Sequence, residues 1–235
     1  GHIELEELDI REDGSFEILV SATPQSGNWL PMLPESDNML VRQTFQNRHQ
    51  ETPAQLTIEC LNPDGEAQLD PLEFAGQLDR VSGFINGTAG IFIDWMEIFS
   101  KHINQLPPND QQMCLTAGGD PSIYYHNSYW KLESDEALLI EIAELPECRS
   151  WNFQLSNFWL ESLDYRYHRI HVNKHTASYA ADGSLQILVA HDDPGQNYPN
   201  WISTAGHTQG SMLLRYIEAS SFPPVKTRVV KFGDL

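Results

Sequence analysis

The chain has 235 residues, 40% of them hydrophobic and 20% charged, and 33 Asp and Glu against 14 Lys and Arg give a formal charge of −19. A domain of this length buries roughly 70–75% of the surface its unfolded chain exposes, which excludes a disordered tail or a disulfide mini-scaffold. Negative charge spread along the whole chain repels phosphate backbones and anionic headgroups, so neither nucleic acid nor a membrane surface is an expected partner.

The chain opens Gly1-His2-Ile3-Glu4-Leu5, with no initiator methionine, basic n-region or apolar h-region. It reads as a start that is processed, engineered or cut from a longer protein. Cys60, Cys114 and Cys148 are widely spaced and form no C-x-x-C pair, so they predict reduced, partly buried thiols, and no zinc knuckle. The longest apolar run, Ala89 to Phe99, is broken by Asp94 and Glu97 and is too short to span a bilayer. A cytoplasmic location is the expectation.

An internal repeat organises the rest. Asp13-Gly14-Ser15-Phe16-Glu17-Ile18-Leu19-Val20 matches Asp182-Gly183-Ser184-Leu185-Gln186-Ile187-Leu188-Val189 at an offset of 169. Pro24 then corresponds to Pro194, Asn28-Trp29 to Asn200-Trp201, and Met39-Leu40-Val41-Arg42 to Met212-Leu213-Leu214-Arg215. Each copy reads as a strand, an Asp-Gly turn, a second strand, a loop ending in Asn-Trp and a third strand, then a further strand over 54–60 or 227–232. The aromatic strands of 124–167 ahead of the second copy have no counterpart ahead of the first, which predicts an equivalent N-terminal stretch outside this sequence.

From Pro71 to Gln105 the apolar period becomes helical. Phe74, Leu78, Val81 and Ile85 form one stripe, and Phe92, Trp95, Met96, Phe99 and Ile103 another. Asn86-Gly87-Thr88-Ala89-Gly90 between them predicts a helical hairpin, ended by Pro107-Pro108. Strands follow near 123–131, 137–143, 151–156 and 165–179, a spacing that fits a sandwich or jelly roll. The expected fold is all-β with a helical insertion, a jelly-roll-like β-sandwich built from two related units. Its parts are a first β unit over 1–70, the hairpin over 71–108 and a second β unit over 109–235.

The run from Glu147 to Arg166, with Trp151, Phe153, Phe158, Trp159 and Tyr165 at its heart, resembles a signature of bacterial domain-of-unknown-function family 1214, often found beside family 1254. Asn173-Lys174-His175-Thr176, Ala190-His191-Asp192-Asp193-Pro194-Gly195 and the run from Pro199 to His207 are similar to the same pattern. The resemblance covers 124–235 well and 12–59 more loosely. It implies a jelly-roll-like sandwich and no established activity.

Candidate chemistry centres on two histidines that only the second copy has. A three-residue loop at Ala181-Asp182-Gly183 would place His191 opposite Asn173, with His175 a diagonal neighbour; a two-residue loop would put Lys174 there instead. His175 and His191 are the candidate catalytic residues, with Asn173, Tyr129, Trp130, Trp159 and Tyr179 as candidate ligand contacts. The competing reading makes both histidines hydrogen-bonded core residues. No H-x-H, H-E-x-x-H or facial-triad spacing supports a metal site, and no G-x-S-x-G, P-loop or G-x-G-x-x-G occurs, so no metal and no cofactor are expected. Glu161, Asp164 and Arg166 read as an ion-pair cluster. Trp29 and Trp201, each after an Asn, hold equivalent places and read as loop anchors.

The function expected first is binding or transformation of an apolar small molecule in a cleft bounded by the helices and the strands of 124–175. The alternative is a non-catalytic module, either carbohydrate-binding through exposed aromatics or an assembly module using the helices. An apolar pocket containing a histidine favours the first, and an exposed Tyr/Trp row the second. The expected partners are a small-molecule ligand and either a second copy or the N-terminal segment outside this sequence.

Overall fold

Alternation of large apolar side chains from residue 123 onward becomes two four-stranded sheets in the computed structural model, which describes residues 1–36, 38–62 and 70–235. The fold is mostly β with one long helix. Two compact units divide the chain, Gly1–Thr44 and Phe45–Leu235.

In the larger unit one sheet runs β10(Lys226–Lys231), β4(Glu136–Ile142), β7(Leu185–Ala190), β8(Trp201–Ser203). The other runs β3(Ile123–Lys131), β9(Gln209–Ile217), β5(Ser150–Leu155), β6(His171–Asn173). Neighbours are antiparallel except β7 and β8, which are parallel. Because side chains alternate across each strand, each sheet turns one apolar face to a shared core, while Ala137, Leu139, Leu188 and Ala190 on the other face of the first sheet form a smaller buried cluster. Leu138, Ile140, Ile142, Ile187 and Val189 from the first sheet pack there with Trp130, Trp151, Phe153, Leu214 and Tyr216 from the second. Each such ring removes on the order of 200 Å² from water, about 4–5 kcal/mol before the cost of ordering it.

The expected hairpin is instead one uninterrupted helix, α1(Pro71–Phe99). Asp70 caps it by accepting from the Leu72 N–H at 2.8 Å, and Pro71 fits the first turn, where its missing N–H costs nothing. Gly87 and Gly90 are not among the residues with positive φ, so each costs about 1 kcal/mol of helix propensity without supplying the left-handed turn that would end the helix. At the C-terminal end Met96 and Phe99 are buried against Tyr129, with Trp95 beside them, while Asp94, Glu97 and Lys101 face water. The earlier stripe of Phe74, Leu78, Val81 and Ile85 is exposed. A short helix, α2(Gln111–Thr116), follows, capped by Asp110.

The smaller unit holds one parallel pair, β1(Leu19–Ser21) with β2(Trp29–Pro31). Its internal bonds repeat those of β7 and β8. Leu19 pairs with Trp29 as Leu188 does with Trp201. Asn28 Nδ2 donates to the Asp9 and Glu17 carbonyls, and Asn200 Nδ2 to those of Ser178 and Gln186. The indole N–H of Trp29 donates to the Ser21 carbonyl at 3.1 Å, and that of Trp201 to the Ala190 carbonyl at 3.2 Å. Gly14 and Gly183 hold φ near +82 and +83, a conformation that only glycine adopts freely, and Asp13 and Asp182 each accept from the following serine. Strands expected over 39–42 and 54–60 do not form, whereas 212–215 and 227–231 lie in β9 and β10.

Candidate functional site

The proposed pairing of residues 173 and 191 does not occur. β6 ends after Asn173, whose carbonyl accepts from the N–H groups of Thr176 and Ala177 and turns the chain out of its sheet. β6 pairs with β5, and β7 with β4 and β8, so Asn173 and the strand that ends just before His191 belong to different sheets. The Asp-Gly turn has the expected left-handed Gly183, yet no strand precedes it. His175 is exposed, and its N–H donates to Asn173 Oδ1. His191 ties two loops together: Nε2–H donates to the Glu133 carbonyl at 3.1 Å while Nδ1 accepts from the Thr204 hydroxyl at 2.9 Å. Both nitrogens are thereby used.

The five expected contact residues fall in three environments. Trp130 is fully buried in the core and Tyr129 is buried under α1. Asn173 spends its amide internally, accepting from His175 and Thr176 and donating to the Gln46 carbonyl at 2.8 Å. Tyr179 is exposed and donates to the Lys174 carbonyl. Trp159 alone stands in a concavity.

That concavity is an open depression of about 410 Å³ lined by Asn157, Phe158, Trp159, Gly206, His207, Thr208 and Gln209. Asn157 builds one wall. Its Oδ1 accepts from the N–H groups of Trp159 and Glu161, and its Nδ2 donates to Glu161 Oε2 at 2.7 Å. This closes the loop after β5 on itself and forces Phe158 and Trp159 outward, 38% and 45% exposed, in an edge-to-face pair with ring centroids 5.1 Å apart. Leu160 takes a left-handed φ of 61° in the same loop. The opposite wall turns through Ala205 (φ 49°) and Gly206, held by His207 N–H on the Thr204 carbonyl. Left-handed non-glycine residues cost free energy and persist only where surrounding bonds over-determine them. The side chains of His207, Thr208 and Gln209 are exposed and make no hydrogen bond among the described residues.

Sequence reasoning missed two features. His126 and Tyr216 are buried neighbours, 6.0 Å between ring centroids, and neither His126 Nε2 nor the Tyr216 hydroxyl has a partner among the described residues. Burial pushes the imidazole below its ordinary range, although contacts with the Leu106 and Pro107 backbone oppose this, and burial pushes the phenol up. Secondly, the outer face of the second sheet carries a polar row, Tyr125, Arg215, Asn152 and Asn173 in register, beside a row with Asn127, Gln154 and His171. Burial, then Arg48, Arg169 and His49, holds His171 below its usual range. The apolar residues of 124–173 that suggested an apolar cleft are mostly core. Among the described residues no group of three or more His, Cys, Asp and Glu side chains is arranged to hold a metal, and no helix is long and apolar enough to cross a membrane.

A family model described as "Protein of unknown function (DUF1214)" matches residues 1–47 and 130–221. The crystal structure of an uncharacterised protein from Burkholderia cenocepacia is similar over 99% of this chain, with 46% identity and a TM-score of 0.88; the chain spans 64% of that protein's length. A Vibrio parahaemolyticus crystal structure is similar over 47% of this chain and 31% of its own, at 17% identity and a TM-score of 0.35. No curated protein matches the chain.

Proposed function

Starting from the premise that the chain belongs to the DUF1214 family, whose description gives no activity, we propose that it is a non-catalytic binding module that takes a carbohydrate at the Phe158–Trp159 depression. The observation that carries this is the outward aromatic pair held by Asn157. Sugar rings present apolar C–H faces that stack on aromatic faces, and rim hydroxyls that need donors and acceptors. His207, Thr208 and Gln209 supply those across the depression. An apolar ligand, the reading expected first, would want an enclosed pocket, and this one is open and half polar.

Calorimetric titration with soluble hexaoses of glucose, N-acetylglucosamine and mannose tests the reading. At least one should bind in the micromolar-to-millimolar range, and Trp159→Ala should remove binding while leaving the thermal melt within about 1 °C, as for an exposed side chain. No binding by any of the three at millimolar concentration would overturn it for these sugars, and binding that survives Trp159→Ala would move the site elsewhere.

The architecture behind this reading is a jelly-roll-like sandwich, and the smaller unit descends from the same ancestor as the β7–β8 region. Matching side-chain and turn bonds support the shared descent. A second reading, assembly of two copies through α1, is favoured by the exposed Phe74, Leu78, Val81 and Ile85 stripe. It predicts a dimer by light scattering that Leu78→Glu dissociates.

A further inference from the structure

We infer that the free edge of β1 accepts one more strand, antiparallel and apolar on both faces, and that the strand comes from polypeptide ahead of Gly1 in the intact protein. This rests on the shared descent of the two units proposed above. In the larger unit β7 has a neighbour on each side. Leu188 and Ala190 turn their backbone groups to β8, and Leu185, Ile187 and Val189 turn theirs to β4. In the smaller unit the first half of that pattern is present: Leu19 N–H donates to the Asn28 carbonyl, and the Ser21 carbonyl accepts from Met32. The second half is vacant. The N–H and C=O groups of Phe16, Ile18 and Val20 have no hydrogen-bond partner among the described residues.

Unpaired strand edges of this kind recruit strands, and the antiparallel direction follows from β4, which pairs antiparallel with β7. The side chains agree. Phe16 and Ile18 are half-buried and Val20 is 43% exposed, whereas their counterparts Leu185, Ile187 and Val189 lie in the core. By the same correspondence the missing strand should read like Ala137-Leu138-Leu139-Ile140, with Leu138 and Ile140 facing one core and Ala137 and Leu139 another. β4 precedes β7 by some 40 residues, so the repeat places its counterpart about 30 residues ahead of Gly1. The Burkholderia cenocepacia relative has room for it, since 64% of its length is matched here.

Amide hydrogen exchange on two preparations tests this: the 235-residue chain, and the same chain with the residues that precede it in the intact protein. In the short chain the Leu19 amide should be protected and those of Ile18 and Val20 should exchange freely. In the long chain Ile18 and Val20 should slow by at least about 100-fold, toward Ile187 and Val189. Equal exchange of Ile18 and Val20 in both chains overturns the inference. Protection in the short chain that rises with protein concentration also overturns it, because a second copy would then be the occupant. Free exchange of Leu19 in both chains would instead discredit the shared descent on which the inference rests.

Discussion

Replacing Asn200 by alanine removes three hydrogen bonds at once. Its Nδ2 donates to the Ser178 and Gln186 carbonyls at 2.7 and 2.9 Å, and its Oδ1 accepts from the Ser178 N–H at 2.8 Å. The residue is 3% exposed, so water reaches the stranded groups poorly. At about 1 kcal/mol for each bond, and more for a group left unsatisfied, the variant should lose roughly 3–4 kcal/mol. For a unit of this size that corresponds to a melting temperature lower by about 6–16 °C. Asn28 makes the same three bonds, with Asp9 and Glu17, but is only half-buried. Water can replace them there, so Asn28→Ala should cost about 1 kcal/mol. Urea unfolding followed by tryptophan fluorescence and far-ultraviolet circular dichroism gives both values. A cost below about 1 kcal/mol for Asn200→Ala, or equal costs for the two, would refute the reasoning that burial sets the worth of an identical bond set.

Thiol labelling of the native chain should modify Cys60, which is exposed, well before Cys114 and Cys148, whose thiols burial pushes up in pKa; equal rates at the three would count against the described packing. Stability should also fall on acidification. Burial holds His126 below its unfolded value of about 6.5, so the unfolded chain binds the extra proton in the window beneath that value. Stability is therefore present above about pH 6.5 and lost as the pH drops toward the folded pKa, and His171 acts in the same direction. His126→Gln should flatten the urea midpoint between pH 5.5 and 7.5, and an unchanged slope would contradict this assignment.

Strand positions were largely legible in the sequence because β3, β4, β5 and β7 alternate and end at recognisable turns. Partners were harder to read. The pairing of residues 173 and 191 assumed that a tight turn implies a hairpin, yet Asn173 bends the chain out of its sheet before the Asp-Gly turn is reached. Nothing in the alternation of Ala, Ser and Tyr over 177–180 signals that exit. Glycines 87 and 90 suggested a helix break, but a glycine ends a helix only when its φ turns positive, and tolerance of two weak residues in a 29-residue helix is a matter of context. Trp130 and Trp159 are alike in sequence. Register decides between them, sending one into the core and leaving the other on a loop that Asn157 closes. Asp-Gly-Ser and Asn-Trp could be matched between residues 13–29 and 182–201 because each carries its own local hydrogen bonds.

The central claim, that the Phe158–Trp159 depression is a sugar site, is tested most directly by following the indole N–H of Trp159 and the backbone amides of 206–209 by nuclear magnetic resonance during a hexaose titration. The account predicts saturable shifts confined to residues 157–161 and 206–209, with the indoles of Trp130 and Trp151 unmoved because they lie in the core. Saturable shifts centred on the outer polar row of Tyr125, Arg215, Asn152 and Asn173, with Trp159 unmoved, would contradict it.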